Sequence, residues 1–120
     1  MNGHVDHTGR ALVTVSLQLS DADSVHEIPV WIDTGFTGDL VLPQRQIDDL
    51  GPLHSGTVKA ILADGSEVVL KTYACLIDWF GEQRVLEVVA NEGDYPLLGV
   101  GLLTGRDLHI SYRSGEVTIE

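Results

Sequence analysis

A carboxylate at the end of an apolar run is the group in this sequence best suited to chemistry. Asp33 follows the apolar residues 30–32, precedes Thr34 and Gly35, and is soon followed by a second apolar run at 40–42. A carboxylate at the end of a buried strand loses solvation, so hydrogen-bond donors or a functional partner must compensate. The Thr34 hydroxyl and the permissive Gly35 backbone suit a tight loop that presents the carboxylate. Taken alone, an Asp-Thr-Gly tripeptide is more often an ordinary turn.

The apolar flanks make this segment resemble the active-site loop of the retropepsin-like, single-lobe aspartic proteases of clan AA. In that family the Asp is catalytic and the Thr ties the two halves of the active site together. The resemblance therefore assigns catalysis to Asp33 and loop support to Thr34 and Gly35, and it implies substrate contacts for Gly35, Phe36 and Thr37. Phe36 stands where the family usually has Ser or Ala. Its ring either narrows a substrate pocket or turns into the core.

A second motif, Leu97-Leu98-Gly99, resembles the other signature of the same family. There the strand passes the catalytic loop at the glycine, because a side chain would collide with the loop backbone. The resemblance gives all three residues a structural role and Leu97 a substrate contact. A nucleotide-binding loop at residues 99–101 is disfavoured, because Thr104 occupies the third glycine position and no long helix follows.

The pattern of apolar residues predicts mostly strands. Alternation over residues 11–20 indicates a half-buried strand, residues 21–24 a turn, and residues 25–32 the strand that delivers Asp33. Pro43 and Gly51 bracket a short helix over 44–50. Further strands are predicted at 56–62, 67–78, 83–90, 108–112 and 117–120, with Val85 among the core residues of its strand. This order predicts a small, closed, all-β barrel with one or two short helices.

The hairpin that follows the Asp33 segment has a second interpretation. Its turn, residues 63–66, contains Asp64-Gly65, a common hairpin dipeptide. Members of the resembled family cover the active site with a β-hairpin flap at this place in the chain order. The resemblance therefore implies that Asp64 and Gly65 form a flap tip that contacts substrate.

Length and composition limit the organisation of the chain. One hundred and twenty residues with 43% hydrophobic content suffice for one core and leave no space for a second lobe. Residues 1–10 are polar and rich in Gly and His, so we expect a mobile N-terminal segment followed by a single domain over 11–120. Members of the resembled family dimerise partly through strands at their chain ends. The resemblance therefore makes the terminal hairpin, or the strand over 11–20, a candidate for dimer contacts, with pairing inside the monomer as the alternative.

The net charge and the cysteine content limit which binding partners and which cellular compartment are expected for this protein. A net charge of −11 with seven Lys and Arg argues against nucleic acid and anionic membranes as partners. The single cysteine, Cys75, cannot form an internal disulfide, and no signal peptide or membrane span is evident, so we expect a cytoplasmic protein. We expect no cofactor and no metal, since His4 and His7 have no further ligands nearby.

The resemblance implies an aspartic endopeptidase that acts on proteins or peptides. Hydrolysis of this kind needs one protonated and one ionised carboxyl group, yet the chain has one Asp-Thr-Gly. Two copies must therefore meet about a two-fold axis, with both Asp33 carboxyls on one water. The alternative is a non-catalytic, dimeric, peptide-binding β domain that keeps the protease fold. A structural β domain with an accidental Asp-Thr-Gly requires both motifs to be coincidences.

Overall fold

The computed structural model describes residues 1–18, 25–51 and 53–120. Within these ranges the chain forms one sheet and two short helices, α1 (Gln44–Leu50) and α2 (Val100–Leu103). The strands are β1 (Asn2–Val5), β2 (Ala11–Gln18), β3 (Val25–Ile32), β4 (Leu40–Pro43), β5 (Leu53–Ile61), β6 (Glu67–Trp79), β7 (Glu82–Asn91), β8 (Leu97–Leu98), β9 (Leu108–Ile110) and β10 (Glu116–Ile119). The predicted all-β fold with one or two short helices is confirmed, and the described residues contain two.

The sheet closes on itself into a small barrel. Its strand order is β5-β6-β7-β4-β8-β3-β2-β1-β10-β9, and β6 pairs in addition with β2. That antiparallel pairing, between Ser16 and Asp78 and between Gln18 and Leu76, completes a ring of six strands, β6, β7, β4, β8, β3 and β2. Strand β5 adds to this ring by pairing with β6, and β1, β10 and β9 follow one another from β2.

Alternating side chains of β2 and β3 fill the barrel. These strands pair antiparallel along their whole length, and in β2 Val15 and Leu17 are buried while Thr14 is exposed. In β3 the buried side chains are those of Ile28, Val30 and Ile32. The period of two is the one the sequence shows, because one face of each strand packs on the core. The last two residues of the predicted strand 11–20 and the predicted turn 21–24 lie outside the described residues.

Three short strands position the Asp33 segment. Strand β8 lies between β3, to which it runs parallel, and β4, to which it runs antiparallel. The register sets Trp31 opposite Leu97 and Leu40 opposite Leu98. The connection from β3 to β4 therefore turns over the end of β8.

The N-terminal residues differ from the sequence-based expectation of a mobile segment outside the domain. Residues 2–5 form β1, which pairs with β10 on one side and β2 on the other. The Met1 ammonium donates to the Ile119 carbonyl at 2.9 Å, and the Ile119 N–H donates to the Met1 carbonyl at 2.9 Å. A short polar strand of this kind is stabilised by pairing with the far end of the chain, which local composition cannot reveal.

Two further expectations need correction. Val85, predicted as core, has 73% of its surface exposed, because the inward-facing positions of β7 are those of Leu86, Val88 and Ala90. The predicted strand 108–112 ends at Ile110, since residues 111–115 form the turn closed by the Gly115 N–H and the Ser111 carbonyl at 2.8 Å. Helix α1 has the predicted bounds and ends at Gly51, whose φ of 73° gives the left-handed C-cap.

Candidate active site

Asp33 lies at the exit of β3 with its backbone fixed. Its N–H donates to the Leu98 carbonyl at 2.8 Å, which continues the β3–β8 pairing by one residue. Its Oδ1 accepts the Gly35 N–H at 2.9 Å, and its carbonyl accepts the Phe36 N–H at 3.2 Å. The carboxylate is half-buried and forms no ion pair within the described residues. One carboxylate oxygen of Asp33 therefore orders the turn.

The chain after β8 binds the Asp33 loop, which we define as residues 33–39. Three backbone hydrogen bonds of 2.8–3.0 Å connect the two segments: Gly99 donates to Asp39, Val100 to Phe36 and Gly101 to Gly38. The approach leaves no space for a side chain at Gly99, where a Cβ would lie 2.8 Å from the Phe36 carbonyl oxygen and closer still to that of Gly38. The loop is thus held in its conformation by backbone donors of residues 99–101, directly after β8.

Phe36 belongs to the surface of a groove and is not part of the core. A Cβ at Gly38 would clash with Phe36 Cζ and one at Gly99 would lie 2.5 Å from Phe36 Cδ2, so the ring packs closely against these two glycines. The side chain remains half-buried and lines the groove above Asp33. Phe36 therefore does not turn into the core, and its ring lies on the wall of the groove.

An open groove of about 940 Å³ runs past the Asp33 loop. Its lining includes five of the residues singled out from the sequence, namely Asp33, Gly35, Phe36, Thr37 and Leu97. Leu98 and Gly99 are buried behind this surface, and Thr34 is exposed outside it with no side-chain hydrogen bond in the described part of the chain. The groove thus brings half of the ten expected residues together around one carboxylate.

The groove also contains residues that sequence reasoning missed. They are Gly38, Asp39 and Val41 beyond the loop tip, Val58, Lys59, Ala60 and Ile61 of β5, Leu70 of β6, and Glu87, Val89 and Asn91 of β7. The lining residues on β5, β6 and β7 were missed because no local sequence motif indicates how these strands pack around the barrel. Asp39 had a usable signal, because it is a second carboxylate six residues after Asp33 in the same loop.

The β5–β6 hairpin forms one wall of the groove, and its tip is ordered by side-chain hydrogen bonds. The Leu62 N–H donates to the Ser66 carbonyl at 2.8 Å, and Gly65 has a φ of 85°. Asp64 Oδ1 accepts the Ser66 hydroxyl at 2.6 Å and the Ser66 N–H at 2.9 Å, which lowers the pKa of that carboxyl. Asp64 and Gly65 do not line the groove in this conformation. They would approach it only if the hairpin moved.

The structure gives little support to catalysis by a cysteine nucleophile or by a bound metal ion. Cys75 is buried at 2% exposure, and burial raises the pKa of its thiol, which disfavours the nucleophilic thiolate. Among the residues that the structure describes, no three His, Cys, Asp or Glu side chains are grouped so as to hold a metal ion. Neither of the two described helices has the length or apolar character to cross a membrane.

Comparison with solved structures identifies the fold. A retropepsin-like aspartic protease from Rickettsia conorii matches with a TM-score of 0.64 at 13% identity over 99% of this chain and 88% of that chain. The EIAV protease complexed with the inhibitor HBY-793 matches with a TM-score of 0.59 at 18% identity over 83% and 90% of the two chains. No protein-family profile and no curated protein sequence matches significantly. The fold is therefore retropepsin-like, as the two sequence motifs suggested.

Proposed function

We propose that this protein is an aspartic endopeptidase that is active as a homodimer. The observation that carries the proposal is a partly exposed carboxylate, Asp33, fixed in a clamped loop on the wall of a 940 Å³ groove. That position is also the one expected from the resemblance to retropepsin-like proteases. The lone buried thiol of Cys75 suits a reducing compartment, so we place the protein in the cytoplasm.

The chemistry requires two carboxyl groups with different protonation. The ionised one takes a proton from a water molecule as that water attacks the peptide carbonyl carbon, and the protonated one donates to the carbonyl oxygen. The C–N bond of the tetrahedral intermediate breaks as the nitrogen takes the proton that the first carboxyl group received from water. A hydroxyl of the intermediate returns a proton to the second carboxylate, which restores the starting pair and leaves a carboxylic acid and an amine. Two like charges in contact resist joint ionisation, so a pair of Asp33 groups would share one proton. A second copy supplies the second Asp33.

The groove favours an extended peptide with apolar side chains. Its walls carry Val58, Ala60, Leu70, Val89 and Leu97, which gain free energy when they bury apolar surface of a ligand. An extended peptide can lie between the hairpin strand β5 and the Asp33 loop. The proposed substrate is therefore an unstructured protein segment rather than a folded surface.

Replacement of Asp33 by Asn tests the proposal. Asn keeps the shape and can still accept the Gly35 N–H, but it can neither take nor share the proton, so kcat/KM for an unstructured peptide library should fall about 10²–10⁴-fold. Asp49→Asn, the same change at an exposed position of α1, is the matched control and should leave cleavage unchanged. A folded Asp33→Asn protein that cleaves like wild type would contradict the assignment. Peptide binding without cleavage by wild type, at every pH from acidic to neutral, would favour the non-catalytic alternative.

A further inference from the structure

Two rows of side chains cross the outside of the barrel on strands β7, β6, β2 and β3. Residues directly opposite one another on paired strands share a face of the sheet, so the strand register defines each row. The first row consists of Val85, Leu76, Gln18 and Val25. The second row, two residues away on each strand, consists of Gln83, Asp78, Ser16 and Glu27. We call these eight residues the outer face.

The first row is mainly apolar and open to solvent. Val85 and Val25 have 73% and 55% of their surface exposed, and Leu76, opposite Val85, is half-buried. The core does not use these side chains. An aliphatic side chain of a partner that packs on this row would remove apolar surface from water on both molecules.

The second row carries negative charge beside the apolar row. Glu27 Oε1 accepts the Ser16 hydroxyl at 2.8 Å, and Asp78 lies opposite Ser16 in the register. Neither carboxylate forms an ion pair within the described residues. Arg84, the cation closest to Asp78 in the sequence, takes the alternate position on β7, opposite Ile77. A cationic group of a partner is therefore the natural counterpart of this row.

A cavity of about 490 Å³ lies on the outer face. Seven of the eight residues of the outer face line it, all except Val85, together with Ile77 and Gly81. Gln83 Nε2 donates to Gln18 Oε1 at 3.3 Å and so connects the two rows. No lysine or arginine is among the described residues that line the cavity. The surface is thus concave, partly apolar and acidic.

The outer face continues into the groove along β7. Successive strand residues point to opposite sides, so Gln83, Val85, Glu87 and Val89 share one side of this strand. Gln83 lines the cavity, Glu87 and Val89 line the groove, and Val85 lies between them. The distance along β7 from residue 83 to residue 89 is roughly 20 Å at about 3.3 Å per residue. One extended peptide can therefore reach from the groove to the cavity.

We propose that the outer face binds a second segment of the protein substrate, one that is rich in aliphatic residues and in Lys or Arg and lies outside the part held in the groove. This inference rests on the proposed function, because it assigns the second segment to the chain that the groove holds. Aliphatic side chains of the segment pack on Val85, Leu76 and Val25, and its cations pair with Glu27 and Asp78. Contact at both surfaces raises the effective concentration of the scissile segment in the groove.

The groove and the outer face divide the selection of the substrate between them. The groove selects apolar side chains next to the cleaved bond, whereas the outer face selects positive charge at a distance from it. The net charge of −11 also favours the approach of a basic chain. Because this general attraction acts over the whole surface, a test must separate it from binding at the outer face.

Binding of a labelled peptide of alternating Lys and Val, followed by fluorescence anisotropy in the Asp33→Asn protein, tests the outer face without cleavage. Adding Glu27→Gln and Asp78→Asn together should weaken binding roughly fivefold to tenfold, as expected for the loss of two partly exposed ion pairs. Adding Asp49→Asn and Glu116→Gln removes the same charge from exposed positions outside both surfaces and should leave binding unchanged. Circular dichroism must show that all variants are folded.

Two further measurements identify the contacts without removing a charge from the protein. A peptide with Glu in place of Lys should not bind to the outer face, since its charge has the wrong sign. Val85→Ala should weaken binding of the Lys-Val peptide roughly threefold, because the bound peptide would bury less apolar surface.

Cleavage of a pair of substrates connects the outer face to the proposed activity. Both substrates share one apolar groove-binding sequence, flanked on each side by a Lys-Val segment in one and by a Glu-Val segment in the other. Wild type should have a KM roughly fivefold lower for the basic substrate at equal kcat, because the flanking contacts are the same in the ground state and the transition state. Glu27→Gln with Asp78→Asn should remove this preference, and Asp49→Asn with Glu116→Gln should keep it.

The outcomes separate this inference from the proposed function. Equal affinity of the two double-substituted proteins for the Lys-Val peptide overturns the inference and leaves the proposed function standing. Cleavage of both substrates by wild type with the same KM does so as well. A wild type that binds the peptide at the outer face but cleaves neither substrate overturns the proposed function and, with it, the assignment of the bound segment to a substrate.

Discussion

The Phe36 ring packs against two glycines, Gly38 and Gly99, next to the groove. The ring occupies the space next to Gly38 and Gly99 that side chains at those positions would need. The motif around Gly99 predicted its close approach to the Asp33 loop. The role of Gly38 could not be predicted, since it depends on the direction in which the Phe36 ring turns. Local motifs thus identified the backbone contacts of the site but not the side-chain packing on them.

Gly99→Ala should destabilise the protein by about 1–3 kcal/mol, the usual cost of forcing extra atoms into a filled space. The new methyl group would press on the Gly38 carbonyl oxygen and on the Phe36 ring, with Phe36 Cδ2 at 2.5 Å. Urea unfolding followed by circular dichroism measures the change. Gly56→Ala is the matched control, because its nearest neighbour, Thr72 Oγ1, would be 3.6 Å away. Equal stability of the two variants would contradict the close packing at Gly99.

Asp6 should make a contribution to stability that disappears only in strong acid. Its hydrogen bonds from the Thr8 hydroxyl and the Arg10 N–H lower its pKa from 3.8 to about 2. Because this pKa is lower in the folded state, the stabilisation is complete above about pH 4 and is lost as the pH falls from 3.8 towards 2. The difference in unfolding midpoint between wild type and Asp6→Asn should therefore shrink over that range. A difference that stays constant down to pH 2 would exclude this origin.

Among the secondary-structure elements, the hairpins could be predicted best from the sequence. The backbone conformations of their turns could be predicted least. The predicted strands 67–78 and 83–90 correspond to β6 and β7, and the turn between them contains Gly81 with a φ of 82°. Phe80 also has a positive φ, 53°, which bulky residues rarely adopt. Its ring is packed between Trp79, edge to face at 5.0 Å, and the Arg106 guanidinium at 3.6 Å. The contact with Arg106 joins distant parts of the chain, so the sequence next to Phe80 does not reveal it.

The β5–β6 hairpin should become protected when a peptide fills the groove. Its exposed apolar side chains Ile61, Leu62 and Val69 are 75%, 47% and 65% accessible in the free protein, and closure over a ligand would bury part of this surface. Hydrogen exchange with and without a statine-type peptide inhibitor should show slower exchange from residue 58 to residue 69. The turn at Phe80-Gly81, outside the groove lining, is the internal control. Unchanged exchange at saturating inhibitor would make this an ordinary hairpin.

For the molecule as a whole, the sequence predicted the all-β fold class better than it predicted which strands pair to close the barrel. Alternating strands and short turns indicated a small barrel, which the pairing of β2 with β6 completes. The inclusion of β1 was not foreseen, because its pairing with β10 joins residues more than a hundred positions apart. Assembly of two chains is even harder to predict from local sequence patterns, since it depends on complementary surfaces of both chains. It has to be measured on the intact protein.

Mixing wild type with Asp33→Asn should reveal whether the active site is shared. If subunits exchange and pair at random, an equal mixture contains about one quarter wild-type dimers, one half heterodimers and one quarter double mutants. Only the first species has two carboxyl groups, so the mutant should suppress activity below that of wild type diluted equally in buffer. Ultracentrifugation must show that dimers persist and exchange at the assay concentration, and specific activity of wild type should fall on dilution through the dimer dissociation constant. An active monomer that is indifferent to both dilution and added mutant would place the second catalytic group within one chain. Asp39, the other carboxylate of the Asp33 loop in the groove, would then be the first residue to replace.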